Sequence, residues 1–314
     1  MKALVVDGYG PPQNAHLADV EIPKVRSGSL LVRMEAAGVN PFDYKLVTGM
    51  VKDFVPIKFP YIPGMDGAGE VVEAGDGVEG WQKGDAVVGF FHAGTFAQYA
   101  VISAADLRLA RKPSALNFER AAAIPEAGFT AKTAVRAAGL NTGQTVLVIG
   151  ATGGVGLFVT QLAKAEGAHV IATGKQDDAD YLRQLGVDET IDYKAADTIA
   201  QVQQRYPGGV DVVIDLINAG DALLRDGLVL RKSGTLVSTL NGPDKNAFAQ
   251  DINVKFIQQT AQRGDLEQLL DSAADGTLRV EIAQTYDLAQ ASQALADLVD
   301  PSKHTRGKLV IRTA

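Results

Sequence analysis

The sequence predicts an α/β protein built from a β-rich part and a doubly wound parallel sheet. Three observations predict it. In the first third of the chain, short apolar runs at 2–6, 29–37, 67–74, 86–90 and 96–102 are separated by gaps that nearly all hold glycine or proline, as strands joined by turns are. From residue 121 onward, apolar strand candidates at 145–149, 170–173, 189–191, 210–215 and 235–238 alternate with stretches long enough for helices. Such alternation implies a parallel sheet covered on both faces. Finally, residues 146–156, VLVIGATGGVG, run from an apolar strand into a glycine-rich turn and then an apolar helix carrying Leu157, Phe158, Gln161, Leu162 and Ala165.

That last order suits the pyrophosphate of a dinucleotide. A helix N-terminus offers free N–H groups and a partial positive charge, so Thr152, Gly153, Gly154 and Val155 are expected against the phosphates. Gly153 is expected to permit the tight turn, Gly154 to let the backbone approach the ligand, and Gly156 to let the helix pack against the strand. Ala151 stands where the G-x-G-x-x-G fingerprint has its first glycine, which is tolerable if its φ stays negative. A second strand candidate, 168–173, follows at the expected distance.

Three segments remain: a strand at 251–257, helices at 265–273 and 289–298, and a closing apolar strand at 308–311. A closing strand needs a sheet, and the N-terminal β region is the place for it. The expected organisation is therefore one discontinuous domain, 1–125 with 263–314, and a nucleotide-binding domain over 126–262.

Composition narrows the function classes. The chain has 314 residues, is 46% hydrophobic and 21% charged, and carries a net charge of −7, which suits an ordinary globular protein and disfavours sequence-independent nucleic-acid binding. The N-terminus has neither a signal-peptide core nor a long apolar span, so a cytoplasmic home without a membrane partner is the expectation. With no cysteine, disulfides and thiolate metal sites are excluded.

Several motifs resemble the medium-chain dehydrogenases/reductases: GVNPFD at 38–43, PGMDGAGEVV at 63–72, GDAV at 84–87, GTFAQY at 94–99, AAAIPEAGFTA at 121–131 and RGKLV at 306–310. In order and spacing they are most similar to the zinc-free quinone oxidoreductase branch, with its ζ-crystallin-like proteins and alkenal or enone reductases. The resemblance implies a GroES-like β domain, a Rossmann domain and an active site in the cleft between them. Zinc-dependent members have a cysteine where this chain has Asn40 and a histidine where it has Met65, and neither replacement is a good zinc ligand. His16, His92, His169 and His304 are scattered. No metal is therefore expected, and the acceptor should be one that takes hydride without a Lewis acid, such as a quinone or a conjugated enone.

An NAD enzyme usually ends its second strand in Asp or Glu, bonded to the ribose 2′-hydroxyl. Here the strand ends in Thr173, Gly174 and Lys175, which suits the 2′-phosphate of NADPH. Asp177 and Asp178 come slightly late and are expected on a helix N-terminus. By resemblance, Tyr193 helps hold the adenosine phosphate and Thr130 lies near the nicotinamide. Ser238, Thr239, Leu240 and Asn241 follow a strand end and are expected near the cofactor.

The expected catalytic residues are Asn40, Lys45 and Asp43. The Asn40 amide would bond the substrate carbonyl or the cofactor ribose, the alternative being a turn-forming Asn before Pro41. The Lys45 ammonium would stabilise an oxyanion or hold the ribose, and lysine at this place is similar to the alkenal reductases. Asp43 resembles a family acid that orients groups near the nicotinamide. Tyr44 is a weaker candidate. Lys308 matches a family lysine, with a structural role equally open. His92 has no visible partner in the sequence.

The expected function is NADPH-dependent hydride transfer to a quinone or an α,β-unsaturated carbonyl. A crystallin-like NADPH-binding protein with little turnover and an enoyl-thioester reductase stay open. The apolar segment 251–257 resembles the edge strand through which family members pair, so a homodimer is expected.

Overall fold

The computed structural model describes every residue except Ala93, Gln250 and His304. Its elements begin with β1 (Lys2–Val5), β2 (His16–Asp19), β3 (Ser29–Val39), α1 (Pro41–Thr48), β4 (Asp66–Ala74), β5 (Ala86–Phe90), β6 (Tyr99–Ser103), β7 (Leu109–Arg111) and α2 (Phe118–Ala122). The middle of the chain holds α3 (Pro125–Ala138), β8 (Thr145–Ile149), α4 (Gly154–Ala165), β9 (His169–Gly174), α5 (Ala179–Gln184), β10 (Glu189–Asp192), α6 (Thr198–Arg205), β11 (Val210–Asp215), α7 (Ala222–Gly227), β12 (Leu230–Ser238) and β13 (Asn253–Phe256). The tail adds α8 (Asp265–Ala274), β14 (Ile282–Asp287), α9 (Ala291–Val299) and β15 (Lys308–Arg312).

These elements form two compact units, Met1–Ala127 with Ala261–Ala314, and Gly128–Thr260. The first is β-rich. Its main sheet runs β14-β15-β3-β4-β5-β7 with β6 also paired to β3, and β1 pairs with β2 separately. The closing strand β15 lies antiparallel to β3 and parallel to β14. The long strand β3 is the spine of this unit, because β15, β4 and β6 all pair with it. Its inward side chains, among them Leu30, Val32 and Met34, are fully buried. Leu295 of α9 and Val47 of α1 join Val39, Leu309 and Ile311 in a second apolar cluster.

The second unit is a six-stranded sheet of order β10-β9-β8-β11-β12-β13. Every pairing in it is parallel. Counting from β8, that order reads 3-2-1-4-5-6, the doubly wound arrangement whose ligands lie beyond the carboxyl ends of the first strands. Val146, Leu147 and Val148 are fully buried, as a central strand covered on both faces demands. The hydroxyl of Thr133 in α3 donates to the carbonyl of Thr260 at 2.9 Å and accepts the Thr260 N–H at 3.1 Å, tying the two ends of this unit together.

The sequence reading located most strands to within a few residues. It placed a strand at 96–102, whereas regular pairing begins only at Tyr99, and Ala97 makes an isolated bridge to Ala3. It did not separate β2, β7 or β14, which are short or carry polar residues at most exposed positions.

Candidate active site

The glycine-rich turn assembles differently from the sequence expectation. Gly150 takes the left-handed conformation, with φ of +87°. Gly153 sits at φ −72° and ψ 168°, open to any residue, so the tight turn belongs to Gly150. Ala151 keeps its φ negative, as the alanine there requires. A β-carbon on Gly156 would collide with the Gly150 carbonyl oxygen, so its glycine is needed for helix packing. A β-carbon on Gly153 would meet only that oxygen, at 3.5 Å. Gly153 is the N-cap of α4, which begins at Gly154 and Val155, and Thr152 is buried just before it. The N–H groups of this first turn lie at a helix N-terminus, where unpaired donors and a partial positive charge suit an anion.

Thr173 is a correction. Its hydroxyl accepts the Gly150 N–H at 3.0 Å, and the residue is buried, so it braces the turn from β9 instead of facing a ligand. Gly174 ends β9, and its carbonyl accepts the Tyr193 N–H at 3.3 Å, which makes Lys175 and Tyr193 neighbours at the carboxyl ends of β9 and β10. Tyr193 is 40% exposed, and the Lys194 ammonium lies 5.5 Å from its ring centre. Asp178 is fully buried and accepts the Lys175 N–H at 2.8 Å.

At the end of β11, Asp215 accepts the N–H groups of Ile217 and Asn218, and the Asn218 amide bridges it to Asp226. Burial pushes the Asp226 carboxyl up to about 7. This pair and the exposed Ile217 were missed in the sequence, because β11 and α7 are joined by a loop with no motif. Ser238 accepts the Leu240 N–H at 3.0 Å, and the Asn241 carbonyl accepts the Gly220 N–H at 3.0 Å. Thr239 and Leu240 are half-buried and Asn241 is exposed on this loop. Thr130 is half-buried in the second turn of α3.

The first unit gathers a desolvated polar group around Asn40. This residue precedes Pro41 and is held extended, at φ −131° and ψ 153°. It caps α1 through its backbone: its N–H donates to Asp43 Oδ2 at 2.9 Å. Its side chain turns the other way. Nδ2 donates to Asp66 Oδ2 at 2.9 Å, and Oδ1 accepts from the Lys308 ammonium. Lys308 also donates to the Val39 carbonyl at 3.0 Å and lies 3.9 Å from Asp66. Asp66 Oδ1 accepts the N–H of Glu126 at 2.9 Å.

Asn40 and Asp66 are 2% and 0% exposed, and Asp43 is 0% exposed. The expectation that the Asn40 amide faces the substrate is therefore corrected: its oxygen and one N–H are spent inside the protein. Lys308 acquires a definite role as the internal cation of the group. Lys45 stands on the last turn of α1, half-buried, close enough to Glu126 to favour its charged form. Tyr44 packs against the apolar cluster around Val39. His92 has partners after all, with Asp106 at 3.5 Å and Arg108 at 3.2 Å, both outside this group. His304 lies outside the described residues.

The electrostatics follow from burial. Desolvation, and then the charge of Asp66, raises Asp43 to about 7. Desolvation raises Asp66 to about 6 against the pull of Lys308 and Asn40. Glu126 is raised well above its ordinary value by desolvation and then by Asp66 and Asp43. The Tyr61 phenol is raised by burial and by Asp43. One Asp43 oxygen, Oδ1, is buried with no hydrogen-bond partner, which also disfavours its anion.

Whether zinc fits is answered by this donor set. A bonded carboxamide, the buried thioether of Met65 and an ammonium already beside Asp66 make a poor zinc site. Among the described residues no three His, Cys, Asp or Glu side chains converge to hold a metal ion, and no helix is long and apolar enough to cross a membrane.

A pH dependence follows. Asp43 and Asp66 bind their protons more tightly folded than unfolded, so their contribution to stability is fullest below about pH 4 and is lost as pH rises towards 7. Asp43→Asn keeps an acceptor for the Asn40 N–H but cannot ionise. Denaturation midpoints of the wild type should fall more between about pH 5 and about pH 7 than those of the variant. Equal slopes would show that Asp43 stores no proton.

Comparison with known proteins agrees with this architecture. Residues 26–114 match the model of the alcohol dehydrogenase GroES-like domain, and residues 185–311 match that of the zinc-binding dehydrogenases. The chain is 31% identical to the chloroplast envelope quinone oxidoreductase homolog of Arabidopsis thaliana, over 99% of this chain and 98% of that one. It is also 31% identical to the quinone oxidoreductase of Mus musculus, over 99% and 97% of the two chains. Among solved structures it resembles the quinone oxidoreductase from Coxiella burnetii, with a TM-score of 0.88, 30% identity and coverage of 100% and 99%. With a GroES-like β unit, a Rossmann unit and full-length relatives of this kind, the chain belongs to the medium-chain dehydrogenase/reductase superfamily of oxidoreductases.

Proposed function

We propose that the protein is an NADPH-dependent, zinc-independent oxidoreductase that reduces a quinone or an α,β-unsaturated carbonyl. The observation that carries the reading is the Asn40–Asp66–Lys308 group, in which a lysine ammonium supplies the buried positive charge. Without a Lewis acid to stabilise an alkoxide, the favoured acceptors are those that spread incoming charge onto a conjugated carbonyl oxygen. Quinone oxidoreductases among the relatives support the same chemistry.

In this reading the second unit holds the cofactor. The first turn of α4, from Thr152 to Val155, binds the pyrophosphate. Lys175 and Tyr193 take the 2′-phosphate, and Asp178 does not oppose it, because its carboxylate is turned onto the Lys175 N–H. Leu240, Asn241 and Thr130 complete the cofactor contacts. The bound nicotinamide supplies hydride. Lys45 is the half-buried cation left to stabilise the developing oxyanion, since Lys308 is occupied by Asn40. Asn40 and Asp43 fix the start of α1, and so the helix that carries Lys45.

Two outcomes are expected. With EDTA present, the protein oxidises NADPH in the presence of an ortho-quinone or a 2-alkenal, followed by nicotinamide absorbance. Lys45→Ala lowers kcat about 100-fold with little change in NADPH affinity, whereas equal losses in both would assign Lys45 to the ribose. Tight NADPH binding without turnover of either acceptor would favour a crystallin-like binding protein.

Lys175→Ala weakens NADPH by about tenfold and leaves NADH nearly unchanged, as loss of one charge-assisted contact to a phosphate predicts. Equal losses for both cofactors would refute the 2′-phosphate assignment.

A homodimer is part of the proposal. Among the described residues strand β13 pairs on one side only, with β12, and so leaves an open edge, while its Val254 and Phe256 pack against the apolar cluster of the same unit. Light scattering during size-exclusion chromatography should give twice the chain mass, and a monomer would refute it.

A further inference from the structure

We infer that Glu126 is the proton donor that completes the proposed reduction, held ready beside Lys45 by the carboxyl group of Asp66 and its buried partners. The inference rests on the reductase reading above. Charge balance requires a stored proton here. Asp43, Asp66 and Glu126 share a desolvated region of the first unit with one buried ammonium, Lys308, while Lys45 stands half-buried at its side. Full ionisation would leave excess negative charge out of water, which is costly, so at least one carboxyl stays neutral.

Asp43 and Asp66 are fully buried and cannot reach a substrate, whereas Glu126 is only partly buried, so Glu126 is the acid of the three placed to give a proton up. Asp66 is the best satisfied: it accepts from Asn40 Nδ2 and from the Glu126 N–H and faces Lys308. Asp43 accepts the Asn40 N–H and leaves one oxygen unpartnered, with the Tyr61 phenol close enough to feel its charge. Glu126 feels both of these acids, and Lys308 and Lys45 offset them only in part, so its acid form is favoured. Its place in the first turn of α3 would by itself favour the anion. Burial and the two neighbouring acids outweigh that. Oε2 is shut off from solvent although the residue as a whole is half-exposed, so the proton is shielded yet sits at the edge of the group. Glu126 belongs to the AAAIPEAGFTA motif, where the sequence pattern assigned it no role.

The step balances. A bound reduced nicotinamide would supply hydride to the conjugated acceptor, and the electron pair displaced there would settle on a carbonyl oxygen that Lys45 would stabilise. The O–H bond of Glu126 breaks as an O–H bond forms on that oxygen, giving a hydroquinone or an enol. The Glu126 carboxylate then takes a proton from water before the next turnover.

The test is Glu126→Gln in the full chain, which preserves shape and removes the acid. Expected results are a fall in kcat of about 100-fold, unchanged NADPH binding as the check on folding, loss of the alkaline limb of the kcat/KM profile, and partial recovery in Glu126→Asp. A variant with wild-type rate and profile would overturn the inference. Infrared difference spectroscopy at neutral pH gives a readout independent of turnover: because Asp43 and Asp226 also hold protons near neutral pH, the signal is the part of the protonated carboxyl absorption lost in Glu126→Gln, and its loss supports the inference, whereas absorption equal in wild type and variant overturns it. If the wild type turns over neither acceptor, the reductase reading fails and the donor role falls with it, while the infrared difference still reports whether Glu126 stores a proton.

Discussion

A single buried ammonium organises the first unit. Lys308 comes from the last strand, yet its partners are the carbonyl of Val39, the side chain of Asn40 and the carboxylate of Asp66. It therefore joins β15, β3 and the start of β4 at one point. Losing it would strand Asp66 without a cation in a desolvated site, and breaking a buried pair in this way typically costs about 3–5 kcal/mol. The orientation of Asn40, the capping of α1 and the placing of Lys45 depend in turn on that contact. This is a site whose geometry is held by charge compensation, which ties its precision to its protonation state.

The second unit is held by sterics instead. Gly150 provides the one backbone conformation the turn needs, Gly156 the clearance, and Thr173 the brace from the neighbouring strand. None of the three depends on a titrating group. The two units thus use different physics for what are proposed to be two different tasks, binding a cofactor and managing charge during reduction.

Much of this was legible in the sequence where the signal is local. The strand–turn–helix order at 146–156 announced the helix N-terminus, and strand–helix alternation announced the parallel sheet. The turn glycine was misassigned, because a run of four glycines among seven residues does not say which one carries positive φ. Thr173 read as a ligand residue because it ends a strand at the right place, but its hydroxyl is turned back toward Gly150. Least legible was the acid cluster. Asp43, Asp66, Glu126 and Lys308 are separated by tens to hundreds of positions and meet only when two helix starts and two strand starts are brought together by the fold, so no spacing rule finds them. Asn40 shows the same limit in reverse: its position was recognised, and the direction of its amide was not, because direction is set by Lys308 from the far end of the chain.

The tie between Thr133 and Thr260 has a consequence for how such a chain came to exist. The Rossmann unit is an insertion, and its entry and exit are stapled to each other by one hydroxyl within that unit. The entropy of closing so long a loop is therefore met inside the insertion, and the interrupted host sees only a short gap. A unit closed in this way is portable. It can enter a host at two junctions without leaving a long open loop there, which is one route by which a chain of two such units arises.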